Sequence, residues 1–238
     1  MSLENMMKTG LPMNRKERFF TGTVFPMIVC AERFRHLNIL ARLMGIRQLP
    51  TVGSDPAQAN IQFFTAYSLV ESIYDQQTKK RFPDPPTTKD TPDIVILIRG
   101  ATTTLIALEA KMYHQPQLSS LVKQLKAQRR QLGYLQEHLS IDEIWHSALL
   151  PRGFLPELKD RVPAGRRDPG FPIVRWEDLL DGYRRVRPTN DYFIGVLDLA
   201  LRHWKSLCSQ PLAYGVNAEG KMKGSLIVSL FGSDPSLS

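Results

Sequence analysis

Residues 91–111 read T-P-D-I-V-I-L-I-R-G-A-T-T-T-L-I-A-L-E-A-K. Ile94 to Ile98 is an unbroken run of β-branched residues and Leu, and Thr102 to Ile106 is also rich in β-branched residues. Arg99-Gly100-Ala101 sits between them, where a hairpin needs its turn. The continuous apolarity of the first run predicts a strand buried on both faces, with helices packed against its sheet. Side chains alternate along a strand, so Glu109 and Lys111 share one face and Ala110 takes the other. A hairpin closing around Ala101 places Asp93 directly opposite Glu109. Opposed Cβ atoms lie about 4.5–5.5 Å apart, near enough for two carboxylates to share one metal ion. Two carboxylates and an amine on one face suit a hard cation such as Mg²⁺, which favours one or two carboxylates plus waters and phosphate oxygens.

Pro92-Asp93, fifteen intervening residues and Glu109-Ala110-Lys111 together resemble the PD-(D/E)XK motif of the restriction-endonuclease-like nucleases. A strand pair leading into a helix is the context that this motif requires. The resemblance implies that Asp93 and Glu109 bind Mg²⁺, with Mn²⁺ as a substitute, and that the Ala110 carbonyl is a third ligand. It also implies that Lys111 holds or helps deprotonate the attacking water, its ammonium pKa lowered by burial and the metal. Another reading of the same residues stays open: a buried hairpin whose Glu109 and Lys111 form an ion pair where the strand leaves the sheet.

The whole chain sets bounds on both readings. Its 238 residues, 42% of them hydrophobic, suffice for one sizeable core rather than two full domains. Lys and Arg outnumber Asp and Glu by 31 to 23, a net charge of +8, and the pI is near 9.6. Such an excess suits a phosphate-bearing partner. The only cysteines, Cys30 and Cys208, form no CxxC, which argues against a zinc site or a disulfide framework. A reducing cytoplasm is the expected setting. No apolar run is long enough to span a bilayer and no secretory signal is visible, so no membrane partner is expected.

In chain order, residues 1–13 read as a flexible lead. Within 15–45, Phe34, Leu37, Ala41 and Met44 recur at helical spacing and Gly45 is placed to end the helix. Asp55, Pro56 and Gln58 look like a helix start, predicting a helix towards Gln76 with Phe63, Tyr67, Val70 and Tyr74 on its buried stripe. The nuclease resemblance implies a supporting Glu on the helix before the Asp strand, and Glu71 is the match. Pro83, Pro85 and Pro86 make 79–91 a loop, whose Lys79, Lys80 and Arg81 are available for phosphate.

A long helix is expected from Pro116 towards Leu139, with Leu118, Leu121, Val122, Leu125, Leu132, Leu135 and Leu139 as its apolar stripe. Gln124, Gln128 and Gln131 form a row along one edge. The resemblance implies a Gln on this helix, and Gln124 is the candidate, although the Tyr that sometimes follows four residues later is absent. Residues 142–149 read as the next strand. Residues 153–170 read as a long basic loop carrying Arg166 and Arg167, and 171–176 as a short strand opening into a helix. Thr189 is a candidate cap for a helix bearing Phe193, Leu197, Leu201 and Trp204.

The sequence therefore predicts an α/β fold: a central mixed β-sheet flanked by helices, with a restriction-endonuclease-like core and N- and C-terminal elaborations. Residues 14–205 form one such domain with its core at about 55–180, and 206–238 are an extension without an assigned place. The expected function is metal-dependent endonucleolytic hydrolysis of DNA by Asp93, Glu109 and Lys111, supported by Glu71 and Gln124. Lys79, Lys80, Arg81, Arg166 and Arg167 are the expected nucleic-acid contacts. Two cuts in a duplex are most simply made by two sites, which suggests a homodimer. The alternative is a nucleic-acid-binding or scaffold protein on the same fold without catalysis, against which the intact Asp93, Glu109 and Lys111 argue. A different carboxylate–lysine enzyme finds no supporting motif: there is no P-loop, G-x-S-x-G or H-E-x-x-H.

Overall fold

The computed structural model describes residues 14–47, 49, 60–87 and 89–209. A helical run opens it: α1 (Glu17–Phe19), a π-helical turn (Phe20–Val24) and α2 (Phe25–Val29). Pro26 has no N–H to donate, and just ahead of it the ladder loosens so that Phe25 N–H reaches Phe20 O. The helix expected through Phe34 is broken. Within α3 (Ala31–Phe34) the backbone turns left-handed at Glu32, Arg33 and Phe34, and regular helix resumes only at α4 (Leu37–Leu43). Gly45 ends it at φ 84°, in the conformation that glycine adopts most readily.

The helix expected from Asp55 to Gln76 is not continuous across its described part, where strand precedes the short helical stretch Leu69–Ser72; the capping residues 55–58 lie outside the described residues. Residues 60–65 are instead strand β1 (Asn60–Thr65). Ile61 and Phe63 turn inward while Asn60, Gln62 and Phe64 are exposed, a period of two. Phe63 packs against Phe25 and Phe34, with ring centroids 6.4 and 6.2 Å away. Two short helices follow, α5 (Leu69–Ser72), capped by Ser68, and α6 (Gln76–Arg81), which opens with a reciprocal Asp75–Thr78 capping box.

Strands β2 (Ile94–Arg99) and β3 (Thr103–Ala110) form the expected hairpin. Helix α7 (Leu118–Leu139) then carries the chain to β4 (Glu143–Leu150), parallel to β3. The long loop contains the two-residue β5 (Arg161–Val162), antiparallel to β6 (Phe171–Arg175), and β6 runs parallel to β4. The result is an open, mixed six-stranded sheet in the order β1-β2-β3-β4-β6-β5. Helix α8 (Trp176–Arg184) leaves directly from β6, followed by α9 (Tyr192–Arg202) and α10 (Trp204–Ser209). The cap of α9 is Asp191, whose carboxylate accepts from the N–H groups of Phe193 and Ile194; Thr189 lies two residues too early.

Strand β2 is buried on both faces, as its unbroken apolar run predicts. Ile94, Ile96 and Ile98 share a core with Phe20, Phe25, Ile28, Trp176, Tyr183 and Leu197. Val95 and Leu97 pack with Leu105, Ala107, Leu132 and Leu135 under α7. The terminal helices are thus part of the main core rather than appendages to it. Among the described residues no helix is long and apolar enough to cross a membrane.

The β5–β6 turn depends on Gly170, at φ 79°, where a Cβ would meet Val162 O at 2.2 Å. Gly170→Ala is expected to lower stability by about 1–3 kcal/mol in urea unfolding, since both the dihedral and the contact penalise a side chain.

Candidate active site

The β2–β3 ladder pairs Ile94 with Leu108, so one residue beyond its end Asp93 faces Glu109. Asp93 is tied down from two sides: its carbonyl accepts from Ala66 N–H (2.9 Å), and its Oδ2 accepts from Ala110 N–H (2.8 Å). Glu109 is fully buried on the central strand β3, and Lys111, only 6% exposed, donates to its Oε1. Asp93, Glu109 and Lys111 therefore meet where β3 leaves the sheet.

The backbone at this exit is clamped. Lys111 N–H donates to Leu149 O on β4 (2.9 Å), and Lys111 O accepts from the indole of Trp176 (3.0 Å). The next carbonyl, Met112 O, accepts from the indole of Trp204. Two tryptophans from the C-terminal helices thus hold consecutive peptide groups.

Residues that sequence reasoning did not select complete the cluster. Lys111 Nζ also donates to Glu17 Oε1 (3.2 Å), which brings an acidic group from α1 into the cluster. Glu71 is exposed on α5, with its N–H donating to Ser68 Oγ. The glutamine that reaches the motif is Gln128, not Gln124. Gln128 is fully buried, and its Nε2 donates to Glu109 Oε2 (2.5 Å) and Thr91 O (3.0 Å). His146 Nε2 lies 3.0 Å from Gln128 Oε1. Gln124 is half-buried one turn earlier. No sequence signal picks out Glu17. Gln128 does carry one, because it falls in phase with Leu121, Leu125, Leu132 and Leu135 on the buried stripe.

Lys79, Lys80 and Arg81 stand on the exposed last turn of α6 rather than in a loop, and Arg166 and Arg167 are exposed between β5 and β6. Among the described residues no hydrogen bond or ion pair joins these five to the motif.

Three carboxyl groups here share one ammonium. Burial pushes the Glu109 carboxyl up to about 8, and the charge of Asp93 adds to the rise, against the opposing pull of Lys111 and Gln128. Asp93 is raised, mainly by burial, with Lys111 and the Ala110 N–H opposing. Glu17 is raised for the same reason, again against Lys111. In the metal-free protein Lys111 shifts upward. Burial alone would lower its pKa, but Glu109, Glu17 and Asp93 outweigh burial and hold it above the ordinary lysine value. Without a metal ion it is a charged ammonium.

No family model, curated protein or solved structure matches the chain. Any chemical reading therefore rests on these residues alone. Among the described residues, no group of three or more His, Cys, Asp and Glu side chains is arranged to hold a metal ion as it stands. The donor chemistry nevertheless fits a hard cation. It offers carboxylate oxygens from three buried acidic groups with one ammonium among them, and burial raises the pKa of all three.

This imbalance has a measurable sign. A carboxyl whose folded pKa lies above its unfolded value stabilises the fold fully below the unfolded pKa, and that contribution is lost as pH rises through the folded one. His146, lowered to about 3 chiefly by burial, acts oppositely but only below its unfolded value near 6.5. Between pH 6.5 and 8 the metal-free protein is therefore expected to lose stability as pH rises, by at most about 1.4 kcal/mol per pH unit for one proton. Chemical unfolding should show the slope, Glu109→Gln should flatten it, and added Mn²⁺ should stabilise more at pH 8 than at 6.5.

Proposed function

We propose that the chain is a metal-dependent nuclease that hydrolyses DNA phosphodiester bonds within strands, on a restriction-endonuclease-like core. One observation carries the reading: the opposed Asp93–Glu109 pair, with Lys111 at its side, buried where a central strand leaves the sheet and leads into a helix. Asp93 and Glu109 would hold Mg²⁺, with the Ala110 carbonyl as third ligand. Bound there, the ion would offset the surplus negative charge, polarise the scissile phosphate and lower the pKa of a water.

The chain's own groups have narrower tasks. Lys111, a charged ammonium in the metal-free protein, would orient the water and face the developing charge on the phosphate. Gln128 holds Glu109 Oε2 and keeps that carboxylate from turning. The exposed Lys79, Lys80, Arg81, Arg166 and Arg167 supply backbone contacts to DNA, and a homodimer would bring two sites to a duplex.

A second reading has its own observation. Lys111 already bridges Glu109 and Glu17, so the cluster has a resident cation without metal. That arrangement suits a nucleic-acid-binding protein on the same fold that does not cut.

Cleavage decides between them. The protein with Mg²⁺ or Mn²⁺ should nick or cut DNA, and EDTA should abolish it. Asp93→Ala and Glu109→Ala should eliminate cleavage while leaving DNA binding intact or improved, because negative charge is lost near the phosphate. Lys111→Ala should slow cleavage by about 10²–10³-fold while metal binding survives. Cleavage by Lys111→Ala at the wild-type rate would remove the motif from the mechanism, and a folded, metal-loaded wild type that cuts no DNA would favour the binding reading.

Binding is tested separately through salt. Affinity for duplex DNA should fall on a log–log plot with a slope of about −0.9 per phosphate neutralised. Replacing Lys79, Lys80 and Arg81 together by Ala should flatten that slope without abolishing metal binding. Salt-independent binding would assign the net charge of +8 another role.

A further inference from the structure

Gln128 lies in the middle of α7 with no exposed surface, and all of its amide polar atoms are engaged. Its partners fix its orientation. Glu109 Oε2 and Thr91 O are both acceptors, so the NH₂ group must face them and Oε1 must face His146. A flipped amide would set its oxygen against a carboxylate and a carbonyl, and its NH₂ against the imidazole. Gln128 Oε1 accepts only, so His146 Nε2 carries the proton and donates to it. The other ring nitrogen, Nδ1, is buried and makes no hydrogen bond among the described residues. Burial, with Arg129 adding to it, keeps the imidazole neutral, and Phe171 stands edge-on to it at 5.2 Å.

His146 belongs to β4, where it pairs with Ala107 two residues before Glu109 on the same face of β3. The chain of hydrogen bonds therefore runs from β4 through α7 to both segments that carry the acidic pair: Glu109 itself, and Thr91, two residues ahead of Asp93. We propose that His146 is a positioning residue of this site, setting the Gln128 amide and through it the Glu109 carboxylate. The role in turnover rests on the nuclease reading; the role in orienting Gln128 does not.

Three variants test it. His146→Leu removes the donor at similar volume, His146→Gln keeps an N–H donor near the Nε2 position, and Gln128→Leu removes the intermediary. In wild type the Gln128 side-chain amide should appear in ¹⁵N–¹H spectra as a pair protected from solvent exchange. That protection should be lost in His146→Leu and recovered in His146→Gln. In Mn²⁺-dependent cleavage, His146→Leu should lower kcat or Mn²⁺ affinity by about 10–100-fold, the usual cost of losing a group that supports a ligand. KM for DNA should stay constant, and His146→Gln should restore most of the loss. In a Gln128→Leu background, His146→Leu should add nothing further.

An unchanged Gln128 amide in folded His146→Leu would overturn the proposal. So would equal losses in the Leu and Gln variants, or additive losses in the double variant. If wild-type protein cuts no DNA, the nuclease reading fails by itself, and the Gln128 amide still decides whether His146 positions it.

Discussion

The burial of Glu109 is the constraint on which the rest of the site depends. A carboxylate with no exposed surface, on a central strand and beneath a helix, costs several kcal/mol unless its oxygens are satisfied. Both are: Oε1 by Lys111 and Oε2 by Gln128. Each partner in turn recruits another element. Lys111 draws in Glu17 from α1, and its backbone is clamped by Leu149 of β4 and Trp176 of α8. Gln128 draws in Thr91 from the approach to β2 and His146 from β4. One buried carboxyl group thus ties together helices from both ends of the described chain and three neighbouring strands. Removing a single partner would leave an unmatched group inside, which costs more than the net contribution of the pair.

What was legible in the sequence was whatever short-range chemistry decides. The register of Asp93 against Glu109 followed from two β-branched runs with Gly100 between them, because a hairpin centred on Ala101 admits only that pairing. The stripe of α7 and the strand–helix join at Trp176 were readable for the same reason. Residues 60–65 were misread because Phe63, Tyr67, Val70 and Tyr74 happen to fit a helical period. Tyr74 is 82% exposed and Val70 is 44% exposed, so that stripe does not stay over a core along its length, whereas Ile61 and Phe63 alternate into one. The free edge of β2 needed a partner strand, and that demand is tertiary.

The supporting residues show the same division. Gln124 and Gln128 look alike in the sequence, and only the phase of Leu121, Leu125, Leu132 and Leu135 separates them, placing Gln128 within the stripe. Glu17 is 94 positions from Lys111, and no local pattern joins them. Burial by itself would lower the Lys111 pKa, but in the metal-free protein carboxyl groups surround the ammonium. With three of them at hand, their attraction exceeds desolvation.

That balance bears on how the site would take up a cation. Lys111 neutralises a cluster that otherwise holds three acidic groups, and it does so by donating to Glu109 Oε1, one of the oxygens that a metal ion would need. On the proposed metal site, cation entry at Asp93 and Glu109 would compete with the ion pair, and each positive charge would weaken the hold of the other on Glu109. Displaced from Glu109, Lys111 keeps Glu17 as a partner, so its ammonium need not be stranded in the interior. On that reading the bridge from α1 would have a physical role beyond packing: it would give the lysine somewhere to remain charged, within reach of the site, when the carboxylate beside it is claimed.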